Sequence, residues 1–432
     1  MKLTKYKLGE ILDVTRGASL SGEFYATEGK YIRLTCGNFD YQNNCFKENK
    51  SKDNLYYIGD FKPEFLMEEG DIITPLTEQA IGLLGSTAII PESGKYIQSQ
   101  DVAKIICKEE LLDKDFAFYL ISSTLVKQQL SAAAQQTKIR HTSPDKIRDC
   151  TVWIPKLTEQ KRIGKLLRSL DRKIELNRAI NQNLEAMAKQ LYDYWFVQFD
   201  FPNEEGKPYK SSGGEMVWNE KLKRDIPEDW NDCVLGDYIG RITNGLNPRK
   251  NFVLGNGNNY YVTIRSLAGT TIDWNDCDRC DDEALAKINS RSQLQIGDII
   301  FSAIGTIGRT YYILEEPSNW NISETSFTLR AKNNVPNDFF YGMLRSNEIQ
   351  LKSDKAAMGS TLRCLVMDSL QSLQYVKVPE KIMCTFSAKV SPLYRQINQN
   401  NKEIAELTKQ RDELLPLLMN GQVSVNSDLS LD

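Results

Sequence analysis

The sequence is poor in the residues from which catalytic and metal sites are usually built. His141 is the only histidine among 432 residues, and it has no nucleophile-elbow context. Cys277 and Cys280 form one Cys-x-x-C pair, but without a second pair a four-ligand zinc site is hard to assemble. The nine cysteines fit reduced, buried thiols better than a disulfide framework. Zinc is therefore the weaker interpretation, and we expect no metal.

Nucleotide-binding motifs are missing as well. The sequence has no G-x-x-x-x-G-K-[ST] loop for a nucleoside triphosphate and no G-x-G-x-x-G turn for a dinucleotide. An Asn/Asp-Pro-Pro-aromatic element is also absent. We therefore predict a chain that is not an enzyme and holds no cofactor of its own. An enzyme built on His141 is the alternative, and unchanged activity of a His141→Ala variant would dismiss it.

No apolar run approaches the ~18 residues that a membrane-spanning helix needs. The first residues lack the apolar core of a signal peptide, so we expect a cytoplasmic protein without a membrane partner. The net charge of −3 argues against unselective coating of nucleic acid. Residues 131–180, however, hold twelve Lys or Arg against five acids. This excess fits selective contact with a polyanion, and an exposed helix face is the alternative.

Apolar residues recur at alternating spacings of three and four in two long stretches. This is the a/d pattern of a coiled coil, and at 1.5 Å per residue the first stretch would extend about 57 Å. The helix-pairing positions are Leu167, Leu170, Ile174, Asn177, Leu184 and Leu191 in the first stretch, and Val390, Leu393, Ile397, Asn400, Ile404, Leu407 and Leu414 in the second. We expect Asn177 and Asn400 to form a buried amide pair, although an exposed position is the alternative. Pro392 and Pro416 should break or kink the second helix.

The sequence repeats itself at a nearly constant offset. Leu8-Gly9-Glu10 returns as Leu235-Gly236-Asp237, and Gly70-Asp71-Ile72-Ile73 returns as Gly297-Asp298-Ile299-Ile300, each 227 residues later. The sequence therefore predicts an α+β protein with a pseudo-twofold internal repeat: two mixed α/β domains separated by two long helices that form an antiparallel coiled coil. The predicted parts are a first domain at 1–155, a spacer helix at 156–200, an extended linker at 201–232, a second domain at 233–379, a second spacer helix at 380–422 and a flexible tail at 423–432.

Two kinds of loop recur in both halves and carry small, polar and cationic side chains. One follows each Gly-Asp-Ile-Ile strand, and the other precedes the last strand of each half. Such side chains suit contacts with phosphates and base edges, and ordinary turn chemistry is the alternative. The segments 16–54 and 241–282 differ between the halves, as expected for two readers of different sequences. The candidate DNA-binding residues are Arg16, Arg33, Thr77, Gln79, Thr137, Lys138, Arg140, Arg241, Arg249, Lys250, Arg265, Thr306, Arg309, Ser360 and Arg363.

These motifs resemble the specificity subunits of bacterial type I restriction-modification enzymes over nearly the whole chain. The likeness includes the loop Ala303-Ile304-Gly305-Thr306-Ile307-Gly308-Arg309 and the element Leu157-Thr158-Glu159-Gln160. Most specific is the aromatic run Tyr192-Asp193-Tyr194-Trp195-Phe196 within 184–201. The second half departs from the pattern because it lacks the Leu-Thr-Glu-Gln element, so its docking of a partner could differ.

The resemblance implies two target-recognition domains, each reading one half of a bipartite site in double-stranded DNA. It implies that the helices set the gap, the length of unread DNA between the two half-sites, and that they dock two methyltransferase subunits. The aromatic run would either form part of that docking surface or pack inside the chain. S-adenosylmethionine, ATP and magnesium would belong to the methyltransferase and restriction subunits. The alternative is a coiled-coil scaffold that presents two protein-binding modules without DNA recognition.

Overall fold

The computed structural model describes residues 1–50, 53–78, 82–133, 140–249 and 251–425. The chain forms two compact units, Met1–Ile174 with Glu406–Asp432, and Glu175–Ala405. Each unit contains part of each long helix, so these units divide the chain differently from the predicted domains, which stay a prediction. No helix in the described ranges combines the length and apolar character that crossing a bilayer requires.

The first unit is built on two small sheets. The four strands of one sheet, in spatial order, are Ala88–Ile89, Ile72–Pro75, Val102–Cys107 and Leu12–Arg16. The other sheet has the order Tyr96–Ile97, Tyr31–Arg33, Tyr56–Tyr57 and Tyr25–Ala26. Three two-stranded pairs are Thr4–Lys7 with Thr151–Ile154, Thr77–Glu78 with Arg140–His141, and Phe39–Asp40 with Cys45–Phe46. The helices are Leu8–Ile11, Lys114–Ile121, Thr124–Ala133 and Pro144–Arg148.

The second unit repeats this topology. Its four-stranded sheet has the order Thr310–Tyr312, Ile299–Ser302, Ser326–Ala331 and Ile239–Asn244. A three-stranded sheet has the order Asp278–Cys280, Asn259–Val262 and Trp320–Ile322. The two-stranded pairs are Asn231–Val234 with Gln374–Lys377, Leu267–Ala268 with Thr271–Ile272, and Met216–Asn219 with Arg224–Pro227. The helices are Asp282–Ser292, Asn337–Arg345, Asn347–Ala356 and Met367–Gln371. Equivalent strands occupy equivalent places, so the predicted internal repeat is present in the fold.

The repeated Gly-Asp-Ile-Ile sequence has a physical reason at each position. Gly70 and Gly297 have φ values of +83° and +94°, a region that favours glycine. The aspartate that follows meets a cation on the neighbouring strand: Asp71 pairs with Lys104 at 2.6 Å, and Asp298 pairs with Arg330 at 2.7 Å. The two isoleucines are buried on both faces of the sheet. The motif therefore combines a turn, a partly buried ion pair and a core strand.

The two long helices are Leu157–Tyr192, followed by a π-helical turn at Asp193–Val197, and Glu380–Met419. The expected break at Pro392 and Pro416 is wrong, because the second helix runs through both prolines. Both lie on the exposed side of the helix, where water can satisfy a carbonyl group that loses its N–H partner. At the start of the first helix, Gln160 accepts from Asp113 N and donates to the carbonyl oxygens of Leu111 and Pro155. Gln160 thus fixes the helix to the first globular half.

The predicted helix-pairing positions are all buried or partly buried. Within the second unit, Asn177 Nδ2 donates to Glu403 Oε2 at 2.9 Å, and Asn400 Nδ2 donates to Asn181 Oδ1 at 2.8 Å. The predicted Asn177–Asn400 pair is therefore wrong in its partners, although both amides are buried as expected, with 6% and 4% exposure. The partner of Asn400 is Asn181, which lies one helical turn after Asn177 in the first long helix. The register between the two helices depends on side-chain packing, which the spacing of residues in the sequence does not specify.

Two further expectations are corrected. Tyr192, Trp195 and Phe196 are buried in the core of the second unit, where Phe196 and Phe386 have ring centroids 5.0 Å apart. These three side chains pack inside this chain and are not a docking surface. The segment 201–232 is not extended: it contains the hairpin Met216–Asn219 with Arg224–Pro227, and Phe201 stacks on Trp230 with centroids 4.9 Å apart.

Candidate nucleic-acid interface

The two recurring loops lie side by side in the second half. Gly305 N donates to Arg363 O at 2.8 Å, and Leu365 N donates to Ala303 O at 2.8 Å. A single β-bridge joins Ile304 to Cys364. Loops that are distant in sequence thus form one continuous surface, as a composite binding site requires.

The first half joins its two loops in the same way. Thr142 N donates to Leu76 O at 2.9 Å, and these residues are the repeat equivalents of Leu365 and Ala303. Thr77 pairs with His141, and Glu78 pairs with Arg140, as antiparallel strand neighbours. Gln79, Thr137, Lys138 and Lys250 lie outside the described residues. The pairing with Glu78 fixes the position of the Arg140 backbone beside the other loop.

Several candidate cations hold the chain's own structure together. Arg16 Nε donates to Gln100 O at 2.9 Å, and Arg241 donates to Gln293 Oε1 at 2.9 Å and to Arg291 O at 3.1 Å. Arg363 pairs with Asp354 at 2.6 Å, which ties its loop to the preceding helix. These guanidinium groups position neighbouring loops, and a ligand could use only their remaining donors.

Arg33 is buried, unlike the other candidate cations whose burial the structure describes. Its residue is 7% exposed, and its guanidinium carbon lies 3.9 Å from the centre of the Tyr25 ring. It also donates to Asn54 O at 3.3 Å. By contrast, Arg249, Thr306 and Ser360 are exposed. The two sets differ in whether a large ligand can reach them without movement of the chain.

The second half also contains a cationic cleft of about 630 Å³. Arg265 and Arg309, two of the candidate residues, line it together with Arg345 and Gln350. Arg345 and Gln350 are not among the residues predicted from the sequence, because each lies in an ordinary amphipathic helix without a recognisable motif. No carboxylate of the described residues lines this cleft.

Cys277 is partly buried and Cys280 is buried. Burial raises the pKa of both the Cys277 and the Cys280 thiols, and nearby aspartates raise it further. Across the described ranges, no group of three or more His, Cys, Asp and Glu side chains is placed to hold a metal ion.

Comparison with known proteins gives concordant matches. A family model described as type I restriction modification DNA specificity domain matches the chain twice, over residues 2–186 and 227–409. The MjaIX specificity subunit of a type I restriction enzyme from Methanocaldococcus jannaschii is 24% identical over 330 residues, which cover 76% of this chain and 73% of the relative. The HindI specificity subunit from Haemophilus influenzae is 23% identical over 384 residues, which cover 77% of this chain and 81% of the relative.

One solved structure shares the overall fold. The crystal structure of the type I restriction-modification S subunit from M. genitalium matches with a TM-score of 0.59. The match covers 97% of this chain and 96% of that subunit, at 18% sequence identity. At this identity the similarity establishes the shared architecture of mixed helices and strands.

Proposed function

Because the chain belongs to the type I restriction modification DNA specificity domain family, we propose that it recognises a bipartite, asymmetric DNA site. Membership of the family confirms the resemblance drawn from the sequence motifs. The prediction that the chain supplies specificity and not catalysis is confirmed with it. In this proposal each globular half reads one part of the site.

The observation that carries the proposal is the loop pairing found in both halves. Equivalent backbone hydrogen bonds, Thr142 N to Leu76 O and Leu365 N to Ala303 O, join the described parts of the two loops in each half. The neighbouring segments 16–54 and 241–282 differ in sequence. A common scaffold with different side chains is what reading two different half-sites requires, since direct readout depends on the side chains that reach the base edges.

The long helices are proposed to pair as an antiparallel coiled coil that sets the distance between the two readers. Two hydrogen bonds within the second unit support this direction. Asn177 bonds to Glu403, whereas Asn181, further along the first helix, bonds to Asn401, earlier in the second. Buried polar residues at a helix–helix seam penalise wrong registers, as a spacer of fixed length needs.

The proposed assembly contains double-stranded DNA, two methyltransferase subunits and restriction subunits. S-adenosylmethionine, ATP and magnesium would be bound by those partners, since this chain lacks the triphosphate-binding loop, the dinucleotide-binding turn and the Asn/Asp-Pro-Pro-aromatic element. The names of the relatives, which are specificity subunits of restriction enzymes, support such an assembly.

The experiment is a binding selection from a library of random DNA duplexes, with the partner methyltransferase present. We expect enrichment of two short motifs separated by a gap of fixed length and no sequence preference. A single contiguous motif would refute the proposal. Complexes that retain no DNA, with protein partners whose binding is insensitive to salt, would favour the scaffold alternative.

A further inference from the structure

We propose that the cleft lined by Arg265, Arg309 and Arg345 binds a phosphodiester group of the DNA backbone. We propose further that only the second half makes this phosphate contact. The inference rests on the proposed function and adds to it a site with a stated role. Phosphate contacts position a protein on a duplex without reading its sequence.

The charges of the cleft favour an anion. Arg309 Nη1 donates to the carbonyl oxygens of Ile264 at 3.0 Å and Leu267 at 3.4 Å. Over the described ranges these hydrogen bonds reach no carboxylate, so the positive charge of Arg309 is not neutralised. Arg265 has a long contact of 3.6 Å with Asp278, and its side chain is 64% exposed. Free donors of a guanidinium can bind two phosphate oxygens at once.

Arg345, the third arginine of the cleft, is held in place by partners within the second unit. Arg345 forms an ion pair of 2.6 Å with Glu185 of the first long helix and donates to Tyr341 Oη at 2.8 Å. Its orientation is therefore fixed before any ligand arrives, which lowers the entropy lost on binding. Arg345 contributes mainly as a positioned charge at the cleft wall.

The loop that carries Arg309 is also held firmly. Gly308 has φ of +88°, and a Cβ at this position would collide with the side-chain amide of Gln350. Gln350 Nε2 donates to Gly308 O at 3.0 Å and to Leu344 O at 2.7 Å. The glycine and the glutamine together fix the backbone next to Arg309, so this guanidinium is presented by a rigid loop.

The first half does not have the same cations. The strand register places Ser86 where the second half has Arg309, and the repeat places Ser122 where it has Arg345. Ser86 is buried, with 0% exposure, so this position of the first half belongs to its core. The duplicated scaffold thus carries the arginine cleft on one side, and phosphate binding by it should favour one half-site.

The test measures DNA affinity as a function of salt for the assembled complex with wild-type chain and with Arg309→Gln. The hydrogen bond from Gln350 to the Gly308 carbonyl oxygen does not involve Arg309, so the loop should keep its conformation in this variant. Losing one phosphate contact should reduce the slope of log K against log salt by about 0.9. Affinity should fall about tenfold or more, by the same factor for specific and mismatched duplexes. Arg265→Gln, at an exposed side chain, should change the slope in the same direction.

A series of duplexes locates the contact. Replacing single phosphates by neutral methylphosphonates should weaken wild-type binding at one position beside the half-site of the second domain. The same replacement should have no further effect on the Arg309→Gln complex. Lys223→Gln is the matched control, since Lys223 is an exposed cation paired with Glu220 outside the cleft. Unchanged slopes for both arginine variants, with wild-type complex that binds a bipartite site, would overturn this inference alone; a wild-type complex that binds no such site would overturn the proposed function.

Discussion

Replacing Arg411 by leucine should destabilise the first unit strongly. Arg411 Nη1 lies 2.9 Å from Asp171 Oδ1, and the two side chains are 11% and 10% exposed. The hydroxyl of the buried Tyr119 donates to the other oxygen of Asp171. Removing the guanidinium leaves a buried carboxylate without this counter-charge, which typically costs about 3–5 kcal/mol. For a domain of roughly 150–250 residues, this loss lowers Tm by about 6–20 °C.

Thermal unfolding followed by circular dichroism measures this loss. Arg395→Leu is the matched control, because Arg395 is exposed on the same helix and should change Tm by about 2 °C or less. A double variant, Asp171→Asn with Arg411→Leu, removes both charges and should recover most of the lost stability. If Arg411→Leu lowers Tm no more than Arg395→Leu does, water screens the pair and this ion pair does not join the two helices.

Further predictions concern the spacer and the two readers. Inserting four residues after Leu176 adds about 6 Å of helix, so the unread gap should lengthen by about two base pairs in library selection, while altered half-sites would contradict the spacer role. Exchanging residues 1–150 for those of a relative should change one half of the selected site, and changes in both halves would contradict independent readers. Asn181→Leu removes the acceptor of the buried Asn400 Nδ2 and the donor to Asn401 Oδ1, so the free energy of unfolding should fall by about 1–3 kcal/mol in urea titrations; a more stable variant would show that these hydrogen bonds contribute nothing.

The repeat was predictable because each of its motifs is required by the local backbone conformation or by a local ion pair. Gly70 and Gly297 need the same backbone conformation, and the aspartates that follow them need the same kind of cationic partner. These constraints keep the motifs recognisable in both halves. From them the order of domains and long helices follows, and so does the expectation that two loops of each half act together.

Features that depend on three-dimensional packing could not be predicted in the same way. The seam positions are visible in the sequence, but the register that gives Asn177 the partner Glu403 depends on how neighbouring side chains pack. The exposure of Pro392 decides whether a helix tolerates it, and spacing does not reveal exposure. Arg345 was missed because its helix looks ordinary, although the contrast with Ser122 in the other half was a usable signal.

Two readers held at a fixed distance should bind DNA most tightly at one separation of the half-sites, and this can be measured as the dependence of affinity on gap length. The two selected half-sites would be placed in duplexes whose gap varies one base pair at a time, and Kd would be measured for the complex with the methyltransferase. Affinity should reach a sharp maximum at one gap length and fall about tenfold or more when the gap changes by several base pairs. Equal affinity at all gap lengths would contradict it.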